Sequence, residues 1–523
     1  MHLLPSQWAW LPLIMLLAML ITRVVGVDRR NHLDLARTDN RLTRLPFFGG
    51  GVGHLLRYLH PLAMGNPPSP PSGRINELRS ELDPNYVSYR GAQLWKLNFN
   101  ATRGSSMEED REEEEAESGE LEQGRQVDDN DDSSPDAQFN EVVALFGSEV
   151  WNINQDGIDI LIEQRNVANA RKFMEKVGFS YNIMIDDIEA AIDETYVEVP
   201  AVEHPLDTVR NGSLPWMERP GTLMSWRRYH DQADIQQFMQ TLLEHHSEMV
   251  EIIQIGVTRN KRPMEVIRVS NGNPDNWAVF VDAGMQARDW LSPAALTYAL
   301  SKLTYLWDQG QLEKAMRDID WYFLPLANPD GYQYSRHTDR LWTKNRAHDP
   351  ATGCYGVNLD RNFEYGWGGT GSTSSPCKNL YRGPKSFSEP ETRALRSFLT
   401  GLREYLGAYI SLGGYGQAIA YPWGDADFVT ENQHDLKHVA RRAVLALRRL
   451  NQAEYSSGTS YRQKLARPGN SADWVQDRVG GQLVYDMFLK DQGRYGYLMP
   501  PHYIVESGEE VFEFLRIIAQ QLQ

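Results

Sequence analysis

The chain has 523 residues, of which 41% are hydrophobic and 24% charged, with 14 Trp, 24 Tyr and 17 Phe. This composition excludes a wholly disordered, a collagen-like and a polytopic membrane protein. The formal net charge of −17 is unevenly distributed, because Glu108–Asp132 has 14 acidic residues against two arginines, a net of −12 that leaves −5 for the rest. Nothing in this pattern resembles a basic surface for nucleic acid, so we expect no nucleic-acid partner.

The N-terminus contains an uninterrupted apolar run of 11 residues, Leu11–Ile21, followed by Arg23. The run is too short to cross a bilayer comfortably, so it predicts a secretory signal peptide over residues 1–26. Because no Lys or Arg precedes the run, an uncleaved anchor is the alternative. No later stretch is long enough for a transmembrane helix. We therefore expect a secreted, extracellular protein without a membrane partner, in which the sequons at Asn100 and Asn211 are glycosylated.

Composition divides the next part of the chain into a linker and a small domain. Residues 27–86 lack sustained periodicity and include a proline-rich stretch, which predicts a partly disordered linker. Residues 87–198 are predicted to form a small domain interrupted by an acidic insertion, 104–137. A run of like charges with few apolar residues stays solvated, so the insertion is interpreted as a disordered surface loop. A ligand for a basic partner or a buffer for metal ions is the alternative.

Short periodic segments fill the small domain. Tyr89–Leu97 alternates like a strand, and Ile158–Ile162 and Tyr181–Ile185 are short apolar strands. Val167–Val177 has helical spacing, and Ile188–Ile192 begins a further helix. These segments predict a small α+β domain with the order β-α-β-α.

The remainder of the chain is predicted to be one large domain, 223–523, after a connector over residues 199–222 with trypsin-like cleavage points at Arg210 and Arg219. Strands alternating with helices predict an α/β fold with a mixed, mostly parallel sheet flanked by helices. The predicted elements are, in chain order, the helix Ile235–Met249, the strands Val266–Val269 and Trp277–Val281, the helix Pro293–Leu306, the strand Trp321–Leu326 and a turn at Asn328–Gly331.

The large domain also contains a series of motifs in a fixed order: Ala283–Trp290, Asn328–Gly331, Arg340–Trp342, Gly356–Asn362, Ser374–Cys377, Ser388–Glu391, Tyr421–Gly424, Ser471–Trp474 and Gly493–Gly496. With these motifs the chain resembles a zinc metallocarboxypeptidase of the pancreatic carboxypeptidase A/B type, from Tyr89 onwards apart from the insertion. The resemblance implies a carboxypeptidase-like fold, a propeptide-like role for residues 87–198, and a disulfide between Cys354 and Cys377. Closing that loop should contribute about 3 kcal/mol.

The chemistry of that family needs a His-x-x-Glu pair and a later His as zinc ligands, a glutamate as general base and an arginine at the oxyanion. The ligand positions here fall on Gln286, Asp289 and Gly413, the base on Phe488 and the oxyanion arginine on Thr343. A Gln amide is a weak ligand and glycine offers none. We therefore expect no metal, no cofactor and no catalytic residue. The family's substrate-covering tyrosine aligns near Leu465.

Some positions of the family's substrate groove keep polar side chains in this chain, namely Arg288, Arg340, Arg361 and Tyr415. The resemblance implies that Arg361 holds the terminal carboxylate of a substrate. In the alternative, Arg361 pairs with Asp360, which stands where the family has Asn and would repel a carboxylate by about 1–4 kcal/mol at 4 Å. Ala472, at the specificity position, predicts a neutral pocket.

These replacements predict a secreted carboxypeptidase-like protein that is catalytically inactive and that binds or regulates an unknown protein or peptide. One alternative is an active zinc carboxypeptidase that removes C-terminal residues, with Asp289, an unseen ligand and another base. The other is a function of the acidic insertion, with the rest as a carrier. The propeptide-like unit, Tyr89–Glu194, is expected to remain docked, as an inherited folding aid or as part of a composite binding surface.

Overall fold

The structure, a computed structural model, describes residues 85–98, 142, 145–154, 157–199, 224–425, 427–465 and 467–523, all within one compact unit, Pro71–Gln523. The predicted signal peptide, linker, acidic insertion and connector fall outside these residues except at their edges, as do Asn100 and Asn211. Within the described ranges, no helix is long and apolar enough to cross a bilayer.

A small sheet is formed by four strands in the order β2-β3-β1-β4, all paired antiparallel. In chain order the strands β1 to β4 are Gln93–Asn98, Gly147–Ile153, Gly157–Ile162 and Tyr181–Ile185. The helices Gln164–Val177 and Ile188–Glu194 complete the unit. The predicted α+β class is therefore confirmed, but the order is β-β-β-α-β-α. Two strands precede the β-α-β-α part: the strand predicted within Tyr89–Leu97 and a strand at residues 147–153 that was not predicted.

A large sheet of the described residues has eight strands in the order β11-β10-β12-β9-β7-β8-β6-β5. Four of its seven neighbouring pairs are parallel and three antiparallel, which confirms the predicted mixed, mostly parallel sheet. In chain order the strands β5 to β12 are Val250–Val257, Pro263–Val269, Trp277–Ala283, Ile319–Leu324, Leu406–Gly413, Ala418–Tyr421, Ser456–Thr459 and Leu483–Phe488.

Helices cover both faces of the large sheet. Because side chains of a strand alternate between its faces, Val279 and Val281 of β7 join one apolar core, whereas Ala278 and Phe280 join another. The helices around the sheet are Gln232–His245, Leu291–Asp308, Lys314–Arg317, Pro329–His337, Pro390–Gly401, Gln433–Asn451, Ser471–Trp474 and Ile504–Gln521.

Two local predictions are corrected by the structure. The motif Asn328–Gly331 does not form a turn but begins the helix Pro329–His337, since the Asn328 side chain accepts a hydrogen bond from the Gly331 N–H and Pro329 occupies the first helical turn. The predicted helix Ile235–Met249 ends earlier, at His245, and β5 begins at Val250.

The small sheet docks on the large domain through an apolar cluster that includes Leu94 and Leu161 from one side and Tyr415 and Leu498 from the other. Gly496 lies in this contact with φ of 56°. A Cβ there would lie 3.1 Å from the rings of Trp151 and Tyr415, so the close approach requires glycine. The small sheet therefore covers the region where β7, β9 and β12 end.

Candidate functional site

The site predicted from sequence lies at the carboxyl ends of three neighbouring parallel strands, β7, β9 and β12. Ala283 is paired with Leu412, and Gly413 with Phe488, so the loops that follow these strands leave the sheet side by side. This edge is where open α/β sheets commonly place their ligands. Gln286 and Asp289 follow β7, and Tyr415 follows β9.

Asp289 is held by its own turn rather than left open to a ligand. Its carboxylate accepts hydrogen bonds from the Ser292 N–H at 3.2 Å and the Ser292 hydroxyl at 2.7 Å. Burial raises the pKa of Asp289 above its usual range, and the bonds from Ser292 oppose that effect. Gln286 is engaged as well, because its amide oxygen accepts a hydrogen bond of 3.1 Å from the Tyr497 hydroxyl.

Phe488 and Gly413 stand side by side at the ends of their strands. A Cβ on Gly413 would lie 3.7 Å from the Phe488 ring, which is ordinary van der Waals contact. The Phe488 side chain belongs to a small apolar cluster with Ala418 and Ala420, and Leu465 packs against it. The positions that the resemblance gives to a ligand, a base and a substrate-covering tyrosine are therefore occupied by a glycine and packed apolar side chains.

Arg467 is a residue of this cavity that the sequence analysis missed. Its guanidinium lies 4.8 Å from the centre of the Phe488 ring. One terminal nitrogen is 2.6 Å from Asp360 Oδ2, and the other is 2.5 Å from Asp486 Oδ2. Burial acts to lower the pKa of Arg467, but the two carboxylates outweigh it and raise the pKa above its ordinary value. Burial raises the pKa of Asp486, and Arg467 opposes that effect.

The predicted pair of Asp360 and Arg361 is present. Arg361 donates to the Asp360 carbonyl oxygen at 3.0 Å and lies 3.4 Å from its carboxylate, and Arg361 Nε donates to the Gly371 carbonyl oxygen at 3.2 Å. Burial lowers the pKa of Arg361 to about 10. Asp360 thus contacts two guanidinium groups, Arg361 and Arg467. The geometry agrees with the alternative interpretation, in which Arg361 forms an ion pair with Asp360.

The space left among these side chains is small. A cavity of about 20 Å³ remains, close to the volume needed for one water molecule. It is lined by Met285, Gln286, Asp289, Asp360, Ser411, Leu412, Gly413, Gly414, Arg467, Asp486 and Phe488.

The other predicted groove residues have structural partners. Arg340 is buried, stacks 3.5 Å from the Trp290 ring centre, and donates to the carbonyl oxygens of Arg288 and Tyr497 at 2.7 Å each. Burial lowers the pKa of Arg340 to about 10. Thr343 is buried, with its hydroxyl directed to the Leu341 carbonyl oxygen at 3.5 Å. Ala472 is buried in the second apolar core.

Arg288 and Tyr415 contact the small sheet. Arg288 lies 2.5 Å from the Glu149 carboxylate and 3.9 Å from the centre of the Tyr497 ring. The Tyr415 hydroxyl donates a hydrogen bond of 2.7 Å to Asp159. Glu149 and Asp159 were not predicted, although Asp159, a charged residue within the apolar run Ile158–Ile162, is the kind of exception that signals a buried partner.

Comparison with known proteins places this geometry in a family. A family model described as Zinc carboxypeptidase matches residues 235–514. The chain belongs to the zinc carboxypeptidase family. Carboxypeptidase B of Astacus astacus is 31% identical over 297 residues, 57% of this chain and 97% of that protein. Zinc carboxypeptidase A 1 of Anopheles gambiae is 30% identical over 369 residues, 70% of this chain and 81% of that protein.

Solved structures of the zinc carboxypeptidase family have the same fold. The crystal structure of thrombin activatable fibrinolysis inhibitor has a TM-score of 0.67 at 25% identity, covering 83% of this chain and 99% of that chain. Carboxypeptidase A from Helicoverpa armigera has a TM-score of 0.65 at 20% identity, covering 84% and 98%, a likeness of fold alone. The disulfide implied by the resemblance is present, with the Cα atoms of Cys354 and Cys377 5.2 Å apart.

The side chains at this zinc carboxypeptidase site do not fit a zinc ion. Zinc in proteins takes imidazole, thiolate or carboxylate ligands, usually four in all with water included. Here Asp289 is the one such group at the three ligand positions, and Ser292 already binds it. The other two carboxylates that line the cavity, Asp360 and Asp486, are already bound by the Arg467 guanidinium. Across the part of the chain that the structure describes, no three His, Cys, Asp or Glu side chains are grouped as a metal site requires.

Proposed function

We propose that this zinc carboxypeptidase family member is a catalytically inactive, secreted protein that acts by binding a protein or peptide partner. The observation that carries the proposal is the Arg467 network, in which one guanidinium bridges Asp360 and Asp486 beside Phe488. A hydrolytic site needs a group that takes a proton from water and an electrophile for the carbonyl oxygen. Phe488 and Thr343, at the positions of the base and the oxyanion arginine, supply neither.

Secretion is supported by two features. The apolar run Leu11–Ile21 has the length of a signal-peptide core. The bond between Cys354 and Cys377 forms and persists in oxidising compartments such as the secretory pathway and the extracellular space.

The partner is proposed to bind outside the ancestral groove. Arg288 and Tyr415 are engaged by Glu149 and Asp159 of the small sheet, and an apolar cluster closes the same contact. A peptide could reach these two groove residues only by displacing the small sheet. We therefore place the binding face on the outer surface that the small sheet and the large domain form together. An affinity pulldown from extracellular fluid, with the full chain as bait, would identify the partner.

Metal content and peptide cleavage test the proposal together. The purified chain is dialysed against micromolar zinc and then assayed for bound metal and for release of C-terminal residues from peptides. We expect no stoichiometric zinc and no release. About one zinc per chain, lost in Asp289→Ala and accompanied by release of C-terminal residues, would instead establish the alternative of an active zinc carboxypeptidase.

A further inference from the structure

The helix Gln433–Asn451, here called the basic helix, has a charge opposite to that of the chain. It contains Lys437 and four arginines against a single acidic residue, Asp435, a net of +4, whereas the other residues of the chain sum to −21 (−17 minus +4). One face of the helix is buried in the core of the large domain through Leu436, Val439, Ala440, Ala443 and Leu447. The cations are therefore restricted to the outer face.

The basic side chains form two adjacent rows along the outer face. Lys437, Arg441 and Arg448 are separated by four and seven residues, and His438, Arg442 and Arg449 repeat this spacing one residue later. Such spacings keep side chains on one face of a helix, and the rows extend for about 18 Å at 1.5 Å per residue. His438, Arg441, Arg448 and Arg449 are exposed, and Lys437 and Arg442 are half-buried.

These positive charges are not paired with carboxylates in the described part of the chain. No carboxylate oxygen of the described residues lies within 4 Å of Lys437, Arg441, Arg448 or Arg449; the one ion pair of the helix there joins His434 to Asp435. Arg442 donates to the amide oxygens of Gln521 at 3.0 Å and Gln520 at 3.4 Å, which leaves its charge uncompensated. Holding like charges together on an exposed face costs free energy unless an anion binds them.

The chemistry of the face selects among polyanions. Four of its five full cations are arginine, whose planar fork binds the oxygens of sulfate or phosphate groups in pairs. The helix has no Phe, Tyr or Trp on which a nucleic-acid base could stack. Leu445 and Leu450 are its exposed large apolar side chains, too few for insertion into a membrane surface. The disulfide Cys354–Cys377 indicates an oxidising compartment, where sulfated polysaccharides are the accessible polyanions.

We propose that the outer face of the basic helix binds a sulfated polysaccharide. This inference rests on the secretion that is part of the proposed function, but not on the loss of catalysis, because the basic helix shares no residue with the Arg467 network. Binding of this kind is driven largely by release of counterions, so it weakens steeply as salt rises.

The test uses the full chain and a sulfated octasaccharide derived from heparin, with the dissociation constant measured at several salt concentrations. The variant Arg441→Gln, Arg448→Gln, Arg449→Gln should bind at least about tenfold more weakly, with a shallower dependence on salt. The matched control Lys378→Gln, Arg396→Gln, Arg403→Gln removes the same charge from exposed residues elsewhere and should bind like the parent. A third variant, Arg441→Lys, Arg448→Lys, Arg449→Lys, keeps the charge and should retain most of the affinity.

Several outcomes would overturn the proposal: no binding by the parent, an equal loss in both glutamine variants, or binding of phosphatidylserine vesicles in place of the octasaccharide. Binding of a short DNA duplex as tightly as the octasaccharide would also overturn it, since the face would then be a general polyanion site. Thermal unfolding of each variant checks that the fold is kept. If the triple glutamine variant unfolds, the single variant Arg448→Gln provides the test, since it should bind more weakly than the parent and with a shallower dependence on salt.

Discussion

The Arg288 guanidinium and the Glu149 carboxylate lie 2.5 Å apart across the contact between the large domain and the small sheet. Both side chains are largely buried, at 4% and 13% exposure. Burial acts to lower the pKa of Arg288, but Glu149 outweighs it and raises the pKa. Burial raises the pKa of Glu149, and Arg288 opposes that effect. The two groups therefore depend on each other for their charge.

Removing one partner of this pair should be costly. Glu149→Gln leaves the Arg288 charge buried and uncompensated, and we expect a loss of about 3–5 kcal/mol in the free energy of unfolding. Urea unfolding of parent and variant measures the loss. The control is Glu163→Gln, in an exposed pair with Arg165, where a change below about 1 kcal/mol is expected. Equal losses in both variants would contradict the buried pair.

Removing the cation of the Arg467 network should reduce stability by a similar amount. Arg467→Met leaves Asp360 and Asp486 without their shared counter-charge, so we expect a loss of about 3–5 kcal/mol by urea unfolding. Adding Asp486→Asn should restore part of the stability, because Asp360 keeps Arg361 as its partner and no carboxylate of the network then remains unpaired. Arg462→Met, in an exposed pair with Asp427, is the control and should change little. A fully stable Arg467→Met chain would show that the bridge does not hold the site together.

Asp282 should make stability depend on pH. It accepts hydrogen bonds from Tyr409 at 2.5 Å and Ser411 at 2.9 Å, and burial raises its pKa to about 7. Because the unfolded value is about 4, the folded state holds the proton more tightly, so the contribution of Asp282 is full below about pH 4 and is lost as pH rises toward 7.

The measurement is the free energy of unfolding at pH 5 and pH 7. The decrease between these values should be smaller in Asp282→Asn than in the parent, by about 1–3 kcal/mol. Asp435→Asn, at an exposed position, is the control and should leave the decrease unchanged. Identical pH profiles for the parent and Asp282→Asn would show that this carboxyl group titrates normally.

Restoring a zinc site should require the cation at Arg467 to be removed. The combination Gln286→His, Asp289→Glu, Gly413→His, Phe488→Glu rebuilds the family's ligands and base, yet the Arg467 guanidinium would still occupy the cavity beside position 488 and could pair with the new glutamate there. We expect stoichiometric zinc in metal analysis only after Arg467→Ala and Asp360→Asn are added.

Peptidase activity should need a further change. Thr343→Arg restores the oxyanion group, and catalytic groups act as a unit, so partial sets should recover almost nothing. Activity is measured as release of C-terminal residues from peptides. Zinc binding by Gln286→His alone would contradict both predictions, because it would mean that the site still has a usable ligand set.

The small sheet should stay docked after the connector is cut. Limited trypsin digestion near Arg210 or Arg219 should leave both fragments together on non-denaturing gel filtration, because an apolar cluster and the contacts of Arg288 and Tyr415 hold them. The variant Glu149→Gln, Asp159→Asn should release the small fragment more readily. A different result would contradict permanent docking: the unmodified small fragment separates cleanly and the large fragment then binds C-terminal peptides. The small sheet would then be a removable cover over a peptide-binding groove.

Sequence patterns predicted the helices and strands but not the side-chain contacts within the cavity. The strand Tyr181–Ile185 and the start of the helix at Ile188 were predicted to the residue, because apolar periodicity is local. The prediction of a turn at Asn328–Gly331 was wrong, because an Asn-Pro pair suits both a turn and the start of a helix. Arg467 gave no signal, since its partners Asp360 and Asp486 come from distant segments that only the folded sheet brings together.

The hydrogen bond between Tyr415 and Asp159 joins residues 256 positions apart. At about 5–20 residues per second, a ribosome that has completed β3 needs roughly 10–50 s more to supply Tyr415. During that interval, Tyr415, Tyr497 and Leu498 of the large domain, which belong to the same apolar cluster as Leu94 and Leu161, have not yet been synthesised. Nascent chains of this protein should therefore need chaperone protection until synthesis is nearly complete. The need is greater because several contacts of the small sheet are made with segments that are synthesised late.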